Sequence, residues 1–109
     1  MNYIIRPAAK DDIIRQYRYY LVDQDVPELA NRFLRAVEET IEKLIAMPKM
    51  GSPKDFGNAA LRELRSWPVQ GFEDVRIYYL AEVERLRVIR ILHGKRNLSR
   101  IFKRDWADD

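Results

Sequence analysis

Between Ala30 and Ile45 the apolar residues Ala30, Phe33, Leu34, Val37, Ile41, Leu44 and Ile45 recur every three or four positions, while Glu38, Glu39, Glu42 and Lys43 occupy the other side. That is the period of an amphipathic α-helix with one face committed to a core. Asp25 and Glu28 have capping-box spacing and Pro27 suits a first turn, so the helix is predicted from about residue 26 up to Pro48. A weaker stripe of Ala9, Ile13, Tyr17, Tyr20 and Leu21 predicts an earlier helix over Ala8 to Val22, opened by Pro7 after a short β-prone run, Tyr3 to Arg6. A few residues around Asp23 to Asp25 join the two, as in an antiparallel helical hairpin.

Beyond Pro48 the period changes. Gly51, Pro53, Gly57 and Asn58 mark a loop of about a dozen residues, followed by an extended run from Leu61 to Val69 that Pro68 interrupts and Gly71 turns. Val75, Ile77, Tyr79 and Ala81 then alternate with Arg76, Tyr78, Leu80 and Glu82, and a further strand follows from Leu86 to His93 after a turn near Val83. Both faces of this hairpin carry apolar residues, which predicts strands covered on one side and partly covered on the other. Strict alternation places Arg87, Ile89, Ile91 and His93 on one face and Leu86, Val88, Arg90 and Leu92 on the other. Leu98, Ile101 and Phe102 suit a short C-terminal helix. The fold predicted is α+β: an N-terminal helical hairpin on a mostly antiparallel four-stranded sheet, forming a single domain over 1–109, with a tail from about residue 103 expected to be disordered.

Composition narrows the chemistry. The chain has 109 residues, no cysteine and one histidine. Disulfides, thiolate metal sites and cysteine nucleophiles are thereby excluded. No nucleotide-binding glycine pattern and no histidine pair at metal spacing occurs, so neither cofactor nor metal is expected. The first fifteen residues lack the apolar run of a signal peptide or membrane span, so a cytoplasmic, membrane-free protein is the expectation. The net charge is only +3, but it is unevenly spread. Residues 1–60 carry nine basic and nine acidic side chains, whereas Arg85 to Arg104 holds eight basic residues and no acidic one. Such a run suits an anionic partner, either nucleic acid or an acidic protein segment, and is equally what a solvated surface looks like. Arg87, Arg90, Lys95, Arg96, Arg100 and Phe102 are the candidates for target or partner binding, with Trp106 a further stacking surface.

His93 ends the last strand just before Gly94, Lys95 and Arg96. An imidazole titrating near neutrality can act as a general acid or base, and with Arg65, Arg76 and Tyr78 it has the chemistry an RNA-cleaving site requires. The structural alternative is a strand-end histidine packed on the core, with arginines that are ordinary sheet-surface residues; Tyr17, Tyr19 and Tyr20 are likewise read as mainly core.

The helix opening Ala9-Lys10-Asp11-Asp12-Ile13, the helix ending Met47-Pro48-Lys49-Met50-Gly51, the strand Val75-Arg76-Ile77-Tyr78-Tyr79 and above all the run Val88-Ile89-Arg90-Ile91-Leu92-His93-Gly94-Lys95-Arg96 together resemble the RelE/ParE toxin superfamily, the ParE branch more closely. The likeness extends from about Tyr3 to Leu98, departing at Asn97, where an aspartate often follows the arginine. It implies the toxin of a type II toxin-antitoxin system, neutralised by a cognate antitoxin, with a heterotetramer as the expected complex and operator DNA reached only through the antitoxin. ParE-like members inhibit DNA gyrase, which would make the chain a binding toxin with no reaction of its own. RelE-like members cut messenger RNA on the ribosome, and for such an endoribonuclease Arg65, Arg76 and His93 would be the catalytic candidates. An inactive relative that only binds an antitoxin is the third reading.

Overall fold

The computed structural model describes residues 2–94 and 96–104. Strand β1 (Asn2–Ile5) leads through Arg6 into helix α1 (Pro7–Arg18), with Pro7 in the first turn, where a missing N–H costs nothing. The helix does not continue regularly to Val22 as its stripe predicts. At Tyr19–Asp23 it widens into a π-helical turn, in which Gln24 N donates to Tyr19 O at 2.9 Å. Helix α2 (Pro27–Ala46) follows with the predicted bounds. The capping box, however, does not form: Asp25 sits at φ 54 and Val26 takes the N-cap position with no side-chain cap. Asp25 instead makes the tight reversal between the helices, a conformation that aspartate tolerates better than most residues.

The sheet has five strands rather than four, in the order β1-β5-β4-β3-β2. Two of them are β2 (Ser52–Pro53) and β3 (Arg65–Val69); the start of the predicted run is a 3₁₀ turn, Ala59–Leu61, where the Asn58 side chain accepts from the Ala60 N–H. Strands β4 (Phe72–Ala81) and β5 (Arg85–His93) form the long central hairpin, and helix α3 (Leu98–Arg104) closes the described chain. All pairings are antiparallel except β1 with β5, which run parallel from Asn2↔Arg85 to Ile5↔Val88. A parallel neighbour needs a long connection, and here it runs through the helical hairpin and the three strands β2 to β4. Lys103 and Arg104 belong to α3; residues 105–109, Trp106 among them, lie outside the described residues.

Each face of the sheet has its own apolar core. On the helical face Ala9, Phe33, Val37, Ile41 and Leu44 pack on Val75, Ile77, Tyr79, Leu86, Val88 and Ile91. On the opposite face Tyr78, Leu80, Ile89 and Leu92 pack against Leu61, Leu64 and Phe102, with Phe56, Leu98 and Ile101 at the margin. The register slips at Tyr78/Tyr79, where Tyr78 faces Arg90 but Tyr79 faces Val88. That bulge leaves one residue of β5 unpaired and breaks the alternation, so Val88 and Ile91 serve the helical core while Ile89 and Leu92 serve the other. The predicted grouping of Ile89 with Ile91, and of Val88 with Leu92, is therefore corrected.

Candidate functional site

Arg90 is the member of the basic run whose environment departs furthest from a surface residue. Its Nε donates to Asp12 Oδ2 at 2.7 Å and a terminal guanidinium nitrogen donates to Asp12 Oδ1 at 2.9 Å. Asp12 Oδ2 also accepts from the Ile91 backbone N–H at 3.0 Å. Where β1 ends, α1 thus completes the edge of β5 with a carboxylate in place of a strand. The Asp12 side chain is 2% exposed and that of Arg90 12%. A fork-shaped bidentate pair of this kind holds an element in place, and its cation is not available to a partner. Arg90 therefore leaves the set of predicted binding residues.

Phe102 leaves it too. It is fully buried, stacks on Phe56 with ring centroids 4.9 Å apart and meets Tyr78 at 5.0 Å. Its carbonyl accepts from Asn58 Nδ2 at 2.8 Å, tying α3 to the loop before β3. A ring so enclosed anchors α3 and cannot stack on a base. Arg87 is half-buried with its Nε 3.2 Å from Glu82 Oε2, while Arg85 meets the other oxygen of the same carboxylate at 3.1 Å. Arg96 and Arg100 are exposed, beside an α3 whose Arg100 N–H is capped by Asn97 Oδ1 at 3.2 Å. Lys95 lies outside the described residues. The basic run is consequently divided: two arginines on Glu82, one on Asp12, and an exposed group around α3.

The three residues proposed for RNA cleavage do not converge. Cross-strand partners project from the same face. Arg65 pairs with Tyr79 and so lies on the helical face, where its guanidinium donates to Gly51 O at 2.7 Å and Lys49 O at 3.2 Å. Arg76 pairs with Leu92 on the opposite face, its Nε donating to Ser66 Oγ at 3.0 Å. His93 pairs with Val75, back on the helical face. Along β4 the Arg65 and His93 positions are marked by Tyr79 and Val75, four residues or about 13 Å apart. Burial pushes the Tyr78 phenol up, with Arg76 opposing it more weakly, so Tyr78 is a neutral core ring.

His93 opens instead on a cleft of about 620 Å³ between the π-helical turn and the β3–β4 reversal, lined also by Gln16, Tyr19, Tyr20, Phe72 and Asp74. Neither the Asp12–Arg90 pair nor this cleft has a local signal in the sequence, because the residues that make them are separated by up to 79 positions. Among the described residues no group of three or more histidines, aspartates and glutamates could hold a metal, and no helix is long and apolar enough to cross a membrane.

Comparison with known proteins agrees with this architecture. The family model described as ParE toxin of type II toxin-antitoxin system, parDE, matches residues 3–98. A solved chain from a chromosomal ParDE toxin-antitoxin system of P. aeruginosa superposes with a TM-score of 0.70, at 18% identity, over 87% of this chain and 97% of that one. No curated protein sequence matches.

Proposed function

Because the chain belongs to the ParE toxin family of type II toxin-antitoxin systems, we propose that it acts by binding DNA gyrase, without a reaction of its own, until its antitoxin removes it. Membership makes it a toxin with a cognate antitoxin; the gyrase target is the further step. The observation that carries it is the dispersal of Arg65, Arg76 and His93 over two faces and two ends of the sheet. General acid-base cleavage of RNA requires its groups within hydrogen-bond reach of one phosphate, which this placement does not offer. Arg96, Arg100 and Lys95 are the proposed contacts to target or antitoxin, through charge that steers association. The antitoxin complex is proposed to be a heterotetramer, working in the cytoplasm and reaching operator DNA through the antitoxin.

The test is a supercoiling assay with purified gyrase. The protein should slow supercoiling and leave cleaved DNA, and simultaneous Arg96→Ala and Arg100→Ala replacement should weaken this about tenfold, at roughly 0.7 kcal/mol for each rim charge. Unimpaired gyrase together with site-specific cuts in a translated message would transfer the chain to the nuclease reading.

A further inference from the structure

The cleft beside His93 sets an aromatic wall opposite an acidic one. One wall is aromatic: Tyr20 lies 5.5 Å from both Tyr19 and Phe72, ring centroid to ring centroid. Phe72 is backed by Phe33 at 5.3 Å, which fixes that wall against the helical core. Tyr19 is 44% exposed and its hydroxyl accepts from Gln24 Nε2 at 3.0 Å, so a largely open ring is held in orientation. The π-helical turn Tyr19–Asp23 places both tyrosines at this mouth. Such insertions cost regular helix hydrogen bonding and occur frequently at functional sites.

The other wall is the start of β4, where Glu73 and Asp74 are exposed; the Asp74 carbonyl accepts from the Gly94 N–H at 2.7 Å, while neither carboxylate makes a hydrogen bond or ion pair among the described residues. Asp74 is near enough to Tyr20 for its charge to help raise that phenol, although burial is the larger cause, so the ring is neutral and electron-rich. The remaining charged group in the cleft, Arg15, is directed to Asp12 at 3.4 Å. A cleft of this volume lies within the range of sites for small groups. Aromatic faces next to two free carboxylates favour a flat, delocalised cation, and they repel an anion.

We propose that this cleft receives the guanidinium of an arginine side chain carried by a partner protein, stacked on the exposed Tyr19 ring with the inclined Tyr20 ring beside it, and held by the Asp74 and Glu73 carboxylates. It stands whether or not gyrase is the target. Arginine fits better than lysine, because a planar guanidinium can stack on a ring and still donate in its own plane to both carboxylates.

The experiment is an NMR titration of the isotope-labelled full-length chain with N-acetyl-arginine amide, N-acetyl-lysine amide and guanosine monophosphate. Arginine amide should give saturable shifts confined to residues 15–20, 71–75 and His93, with a Kd on the order of 1 mM for a lone side chain. Lysine amide should bind about fivefold more weakly, and Asp74→Asn should weaken arginine binding by about the same factor. Both replaced positions are exposed, so Asp74→Asn and Glu73→Gln test the cleft without testing the fold. Absence of saturable shifts at the cleft would overturn the proposal, as would shifts unchanged in the Asp74→Asn, Glu73→Gln double variant. Preference for the nucleotide would overturn it in favour of a base-binding cleft.

Discussion

The two faces of the sheet are both apolar, but they are covered by different means. Over one lies a helical hairpin whose longer member, Pro27–Ala46, is an uninterrupted amphipathic helix. Over the other lie an irregular loop, a 3₁₀ turn and the seven-residue α3, held chiefly by Phe102. The family match runs only to residue 98, so almost all of α3 falls beyond it. A long helix buries many side chains along a rigid rod, whereas a short helix at a chain end can undock without disturbing the strands below it.

Truncations of equal size on the two faces should therefore have unequal effects. Phe33→Ala should cost about 4 kcal/mol, because the hairpin cannot collapse around the cavity, while Phe102→Ala should cost only about 2 kcal/mol as α3 detaches and solvent enters. Both rings are fully buried, so equal losses in urea unfolding would erase the distinction. Next in size is the Asp12–Arg90 link. Asp12→Ala removes the carboxylate that accepts from the largely buried Arg90 guanidinium and from the Ile91 N–H, and should destabilise the protein by about 3 kcal/mol. Replacing Asp12 and Arg90 together by alanine should restore part of that loss. A double variant no better than the sum of the single ones would mean that the two residues act separately.

The smallest effect lies in alkali. Burial raises the Tyr78 phenol, as it raises Tyr79, where the Gly51 N–H hydrogen bond pulls in the other direction. The unfolded chain loses these protons near pH 10, before the folded one does, so stability is fully present below pH 10 and falls as pH rises toward the folded values. Tyr78→Phe should flatten part of the decline between pH 10 and 11, measured by thermal melting. Its persistence unchanged would place the loss on the helical face, at Tyr79 and Tyr20, whose phenols burial also raises.

Several errors of reading have one origin. The Asp25-x-x-Glu28 spacing satisfies a capping box, but the Val26 N–H bonds Tyr20 O at 2.9 Å and the reversal forces Asp25 to a positive φ. Alternation along β5 is correct up to the bulge and inverted after it. The pairing of β1 with β5 joins residues more than eighty apart and has no local trace. Of the candidate site, the basic run could be read from the chain, whereas its division among Glu82, Asp12 and solvent could not. His93 was visible as the single histidine, but its neighbours Tyr20, Phe72 and Asp74 come from two other segments, the π-helical turn and β4.

The sequence by itself determined the elements: periodicity of side chains dictates where a helix or strand can bury a face, and proline and glycine dictate where it stops. Together with the motifs of the last strand, that was enough for the toxin family. Only the tertiary structure decided which charges are spent inside the molecule and which remain for a partner. A guanidinium is buried or free according to where a carboxylate lies in space, and the carboxylate that claims Arg90 is 78 residues away along the chain.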